Sequence, residues 1–330
     1  MNPYSGTNLF QFLLLFFERM AQMLTGRLSL SELATDEVQV LVLALVAIGS
    51  SLMGTFLVLR KMTMLANSIS HTVLLGIVAA YLILIPFAGG LEAHAHSVSI
   101  QALFIAALAT ALITTVLTQA LTHVLKLQED ASIGLVFTTL FALGVVLVTV
   151  FTRNTHIGVE AIMGNVDALH VHDLQLISIV VLINLVVIGL FFKELKITSF
   201  DPSFADAVGV SSKRWGYVLM LLTSLTVIGA FRSVGVLLVL AFLVGPPLTA
   251  RQLTHRLKNL LLLGIGIGAF VALISVALSR HLLSIHHLPV STAGVAVTLL
   301  GVIYCLVTFS KSAIVLYSAD AREHASKGKI

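Results

Sequence analysis

The sequence predicts an all-α, polytopic membrane protein of about eight to nine transmembrane helices. Three observations carry this. Of 330 residues, 58% are hydrophobic and only 10% are charged, against about a quarter charged in an ordinary soluble domain. Mean hydropathy is +1.05. Apolar runs of about 20 residues, the length that crosses a hydrocarbon core, recur along the chain between short polar segments.

Taken in order, Leu9–Met23 is apolar but short and carries Glu18 and Arg19, which suits a helix lying in the membrane interface better than one crossing it. Candidate spans follow at Val38–Leu59, Met64–Phe87, Ile100–Thr122, Ala131–Thr152, Asp173–Leu195, Trp215–Phe231, Ser233–Ala250, Leu257–Ser279 and Ser291–Phe309. Arg232, Gly235 and the Gly245-Pro246-Pro247 step interrupt residues 215–250, which leaves either two short helices or one span plus a re-entrant piece. The organisation is an N-terminal segment (1–37), one transmembrane domain (38–310) and a C-terminal tail (311–330). The opening "MNPYSGTNLF" has neither a basic stretch nor a small-residue cleavage site, so no cleaved signal peptide is expected. A single cysteine, Cys305, excludes an internal disulfide.

The net charge of +4 and the pI near 9.3 read as topology rather than as a nucleic-acid footprint. With Arg60–Lys61 placed in the cytoplasm and sides alternating, 14 basic residues fall inside and Arg19, Arg27, Arg153, Arg232 and Arg280 fall outside. Basic residues collect in cytoplasmic loops, so this predicts a cytoplasmic C-terminus. Histidine runs the other way: His94, His96, His156, His170, His172, His281, His286 and His287 lie outside. As a set they suit an outer face that attracts divalent cations; singly, each is an ordinary polar loop residue.

Several classes are excluded. There is no GxxxxGK[ST] phosphate loop, no HExxH and no GxSxG. The chain is therefore no ATPase, and no residue is assigned a catalytic role. No acidic residue lies near the centre of a predicted span, which argues against a proton- or sodium-coupled carrier.

Two stretches stand out. In "MLANSISHTVLLG" (64–76), Asn67 and His71 are four apart and share a helical face. His71 is either a neutral imidazole bonded to a neighbouring helix or a ligand on a cation pathway; Asn67, Ser68, Ser70 and Thr72 nearby favour a lined cavity, the alternative being interhelical contacts. In "KITSFDPSFADAVGVSSKRWG" (196–216), Ser199 or Asp201 can cap a short helix, Pro202 fits its first turn and Gly209 can end it. Phe204, Ala207 and Val208 then form an apolar stripe on a helix displayed between two spans, packed on its own bundle or inserted into a partner's groove.

Four segments, "GTFLVLRKMTMLANSISHTVLLG" (54–76), "LQEDASIGLVFTTLFALGVVL" (127–147), "SFDPSFADAVGV" (199–210) and "SVGVLLVLAFLVGPPLTARQL" (233–253), resemble the zinc/manganese/iron ABC transporter permeases. The resemblance implies the transmembrane bundle of an ABC importer in the bacterial cytoplasmic (inner) membrane, with divalent transition metal as cargo and no permanently bound cofactor. It implies two permease chains around one pathway, an ATPase dimer docked in the cytoplasm and an extracytoplasmic metal-binding protein. It makes His71 and Asn67 pathway residues, and Ser199, Phe200, Asp201, Pro202, Phe204, Ala205 and Gly209 parts of the ATPase-coupling helix. Two positions depart from the family's pattern: Asn67 stands where an Asp is usual, and Leu75 where a Pro is. The Asn form resembles one member of a two-permease system, whose sister chain would carry the carboxylate. Glu160 and Asp167, in "GVEAIMGNVDALHVHD" (158–173), are expected to touch the delivering protein. The alternatives are a permease for a metal chelate or cobalamin, a gradient-driven metal carrier and a non-transporting scaffold.

Overall fold

The computed structural model describes residues 3, 4, 6–29, 32–84, 100–151 and 166–327. These form α1 (Leu9–Leu24), α2 (Thr35–Leu59), α3 (Thr63–Leu84), α4 (Ile100–Val124), α5 (Glu129–Phe151), a 3-10 turn (Val166–Ala168), α6 (Val171–Leu190), α7 (Phe192–Phe200), α8 (Pro202–Ala207), α9 (Ser212–Val234), α10 (Val236–Leu253), α11 (Leu257–His286) and α12 (Thr292–Lys327). Among the described residues, nine helices, α2–α6 and α9–α12, are long and apolar enough to cross a membrane.

The bundle has two groups and a bridge. α2 packs on α6, α9, α10 and α11, with α12 closing over α10 and α11. α3 packs instead on α4 and α5, and α9 touches both groups. In lipid no hydrophobic force drives helices together, so close backbone approach and polar contacts do so. Where α2 meets α10, a methyl group on Gly54 would lie 1.7 Å from the Leu243 carbonyl oxygen. Where α3 meets α5, one on Gly144 would lie 3.1 Å from the Leu75 backbone nitrogen. Asn184 Nδ2 donates to Thr226 Oγ1 (2.7 Å), pinning α6 to α9.

Local chemistry sets the ends of α2. Glu37 accepts from the Ala34 amide (2.8 Å) at the start of the helix. At the other end Lys61 takes φ 61°, and the Met62 amide donates to the Leu57 carbonyl (2.9 Å). This closure satisfies the last carbonyls and fixes a tight elbow into α3.

The structure moves several predicted boundaries. α2 starts at Thr35 rather than Val38, which brings Asp36 and the fully buried Glu37 into the helix. Glu37 also accepts from Tyr4 Oη (2.7 Å) and from the Arg19 guanidinium, so it ties α1 to the head of α2. Burial first, and this bond second, push the Tyr4 phenol far above its usual pKa. The span predicted to reach Leu195 ends at Leu190, and Phe192–Phe200 is a separate helix. Residues 215–250 are two helices joined at Gly235 (φ 79°) rather than one span with a re-entrant piece. α11 continues past Ser279 to His286, and α12 runs through the predicted tail to Lys327.

The Gly54 contact generates a test. Gly54→Ala forces α2 and α10 apart and lowers stability by at least about 2 kcal/mol. Thermal melting of the detergent-solubilised protein checks this; an unchanged midpoint contradicts backbone contact at this crossing.

Candidate functional site

α3 buries most of its surface against α4 and α5 but leaves one seam open. Along it lie Met64, Asn67, His71 and Leu75, none of them fully buried. Asn67 and His71 are its polar members over these two turns. His71 lies eight residues past Thr63, about 12 Å along the helix, and so well inside a hydrocarbon core of about 30 Å. Its imidazole sits in a bracket of two α5 rings, with centroids 5.5 Å from Phe137 and 5.6 Å from Phe141. Phe137 and Phe141 are themselves one helical turn apart, 5.8 Å between centroids. The bracket orients the ring without offering it a hydrogen-bonding side chain.

The neighbouring hydroxyls separate from this seam. Ser70 Oγ donates to the Ala66 carbonyl (2.8 Å), and Thr72 Oγ1 accepts from Thr114 Oγ1 of α4 (2.9 Å). Ser68, Ser70 and Thr72 are all buried in helix packing. Only Thr72 bonds a neighbouring helix; Ser70 bonds its own helix, and the buried Ser68 Oγ has no hydrogen-bond partner among the described residues. Among the described residues, no three His, Cys, Asp or Glu side chains come together as a metal-holding group.

The second feature is the loop from α7 to α9. Asp201, not Ser199, caps α8: its Oδ1 accepts from the Phe204 amide (2.9 Å), and Pro202 follows in the first turn. Gly209 takes φ 87°, and the Val210 amide donates to the Ala205 carbonyl (2.9 Å), ending the helix as its sequence predicts. Asp206 Oδ1 then accepts from the Ser212 amide (2.7 Å), bonding α8 to the head of α9. Ala205 is fully buried beneath α8, whereas Phe200, Phe204 and Val208 are 56%, 56% and 58% exposed. Phe204 and Ala207 on α8 and Val208 at its C-cap are all exposed, as the predicted stripe requires, while Phe200 ends α7 on the other side of the extended Asp201. Ser199 and Phe200 belong to the end of α7. Ser199 is buried, and with Thr198 it accepts hydrogen bonds from Arg60.

At the opposite end, Asp167 is not free-standing. Its Oδ1 accepts from Gln39 Nε2 (2.9 Å) and from Thr292 Oγ1 (2.7 Å), and Arg280 pairs with Asp36 (3.3 Å) across the same cleft of about 450 Å³. Asp167 nonetheless keeps an exposed side chain. Glu160, His94, His96 and His156 lie outside the described residues. His281 and His286 stand with ring centroids 6.0 Å apart near the end of α11.

Sequence reasoning missed Phe137 and Phe141, which it did not single out, and Arg60, which read as a topology marker. The signal for the first pair was their spacing of four on one helix. Nothing in the sequence paired Arg60 with Thr198, 138 positions away.

Comparison with known proteins agrees with this geometry. The chain is 40% identical over 319 residues to the "Probable metal transport system membrane protein" of Chlamydia trachomatis serovar D, covering 96% of this chain and 97% of that one. It is 39% identical over 273 residues to the manganese transport system membrane protein MntD of Bacillus subtilis, covering 79% and 86%. Its fold resembles the structure of PsaBC from Streptococcus pneumoniae in complex with Fab, with a TM-score of 0.67 at 26% identity over 87% of this chain and 95% of that one. The sequence pattern that defines the ABC 3 transport family matches residues 37–311, and the chain belongs to that family.

Proposed function

We propose that this chain is the permease subunit of an ATP-driven importer of divalent transition metal ions in the bacterial inner membrane. In this reading the Arg60 end and the C-terminus face the cytoplasm, as the distribution of basic residues supports. A second, similar permease lies against the open seam of α3. An ATPase dimer takes the exposed apolar residues of and around α8, Phe200, Phe204 and Val208, and an extracytoplasmic metal-binding protein docks near Asp167 and Glu160.

The observation that carries the proposal is His71: an imidazole deep in a span, oriented by two phenyl rings of α5, on a face of α3 that stays only partly buried. Polar groups at that depth mark substrate pathways, and imidazole favours transition metals over calcium and magnesium. Asn67 adds only a neutral, weak oxygen ligand. The second permease therefore supplies the carboxylate, and the transporter is a heterodimer. Metal passes between the chains while ATP-driven closure below rocks the bundles as rigid bodies. The manganese named for the Bacillus subtilis relative makes that ion the first to test. Because Mn²⁺ binds N/O sites more weakly than Zn²⁺, selectivity for it would rest on geometry and supply.

Three outcomes follow for the transporter reconstituted with its partner chains. His71→Ala lowers manganese uptake by more than about tenfold, at least the loss seen when a metal ligand's supporting group is removed; uptake within twofold of wild type counts against a pathway role. Asn67→Asp, which adds a charged oxygen ligand, shifts the preference among manganese, zinc and iron in competition assays and leaves the maximal rate nearly unchanged; an identical metal profile removes Asn67 from the pathway. Phe204→Asp abolishes co-purification of the ATPase without lowering the melting temperature of the permease, whereas intact co-purification places the docking surface elsewhere. Full activity from this chain and the ATPase alone would refute the heterodimer.

A further inference from the structure

Arg60 joins three elements that the proposed mechanism must move together. It is the C-cap of α2, one residue before the Lys61 elbow. Its Nη2 donates to Thr198 Oγ1 (2.7 Å) and its Nε donates to Ser199 Oγ (3.3 Å), both at the end of α7. Its Nη1 lies 3.4 Å from where a methyl group on Gly216 would sit, so the guanidinium also rests on the first turns of α9. α7 and α9 are the two stems that hold α8.

The acceptors are built to receive it. Thr198 is fully buried and Ser199 is 7% exposed. Thr198 Oγ1 donates its own proton to the Glu194 carbonyl (2.8 Å), which leaves its lone pairs for the guanidinium. A planar fork reaching two adjacent hydroxyls fixes direction as well as distance, which a lysine cannot do. Around it lies a cleft of about 370 Å³, lined among others by Lys61, Gln119, Lys213 and Met220.

What Arg60 attaches to on its other side gives this consequence. The elbow at Lys61 is closed by the Met62–Leu57 hydrogen bond, and α3 begins three residues on, at Thr63, carrying His71 in its third turn. α2 and α3 otherwise touch little, since each packs on different helices. The Arg60 fork is thus a short, stiff connection between the stems of α8 and the helix that bears the pathway imidazole.

We infer that Arg60 is the positioning residue that couples the two, carrying displacement of α8 through Thr198 and Ser199 into the α2–α3 elbow and hence into α3. This rests on the proposed function of α8 as the ATPase contact. The guanidinium touches neither the metal nor the ATP. Its loss uncouples the two ends and leaves each intact.

The test uses the assembled transporter in liposomes, measuring manganese uptake and ATP hydrolysis together. Arg60→Ala is expected to retain ATPase association and hydrolysis within about twofold and to lower the manganese moved per ATP by about tenfold or more. Arg60→Lys, which can serve one hydroxyl but not both, should fall between. The double variant Thr198→Val with Ser199→Ala removes the acceptors while keeping the buried volume, and should reproduce the loss with Arg60 in place. An unchanged ratio of metal to ATP in Arg60→Ala or in the double variant overturns the inference, as does a parallel fall of uptake and hydrolysis in both. If the wild-type assembly moves no manganese, it is the proposed function that fails; if it does and the variants couple normally, only the role of Arg60 fails.

Discussion

The contact of α2 with α10 is the constraint on which the rest of the structure depends. At Gly54 the two backbones are so close that no side chain fits between Cα and the Leu243 carbonyl. A bilayer gives helices no hydrophobic reason to associate, so such contacts carry the packing. With α2 held there, α6, α9 and α11 assemble around it, and its two ends become fixed points. One end is tied by Glu37 to Tyr4 and Arg19. The other is tied by Arg60 to the stems of α8. Charge appears on this helix only at its ends, where the polar groups that satisfy it can be reached.

The division of labour in α3 follows from the same physics. Thr72 and Gly76 meet α4, where Thr72 accepts from Thr114, while Ser70 bonds a carbonyl of α3 itself. Its bulkier polar pair, Asn67 and His71, lies on a face that is only partly buried, with His71 against two rings of α5. Placing an imidazole at that depth is costly unless something uses it. Two phenyl rings hold its direction but satisfy neither nitrogen, which suits a group whose partner passes through rather than stays. Under the proposed function, a single imidazole and an amide there make half of a coordination site, and a second chain completes it.

Much of this was legible in the sequence. Hydropathy located the nine spans. The spacing of Asn67 and His71 put both on one face, and Asp201, Pro202 and Gly209 marked a short displayed helix whose limits the structure reproduces to within a residue or two. What escaped was long-range or ambiguous by type. Asp36 and Glu37 look like loop residues because they are charged, yet capping and the Arg19 partner draw them into the helix. Ser199 looked as good a cap as Asp201, but a short hydroxyl opposite Arg60 is worth more buried than exposed. Phe137 and Phe141 cannot be told from lipid-facing residues until α3 and α5 are seen side by side. α12 outruns its apolar segment because nothing in residues 311–327 breaks a helix.

The account stands or falls on whether a transported ion meets His71. X-ray absorption at the manganese edge, on the assembled transporter loaded with Mn²⁺ and trapped without ATP, reads the ligands directly. The account predicts imidazole scattering alongside oxygen ligands that include a carboxylate from the second permease, with the imidazole contribution weakened or lost in His71→Ala. A spectrum of oxygen ligands alone, or one unchanged by that substitution, would contradict it.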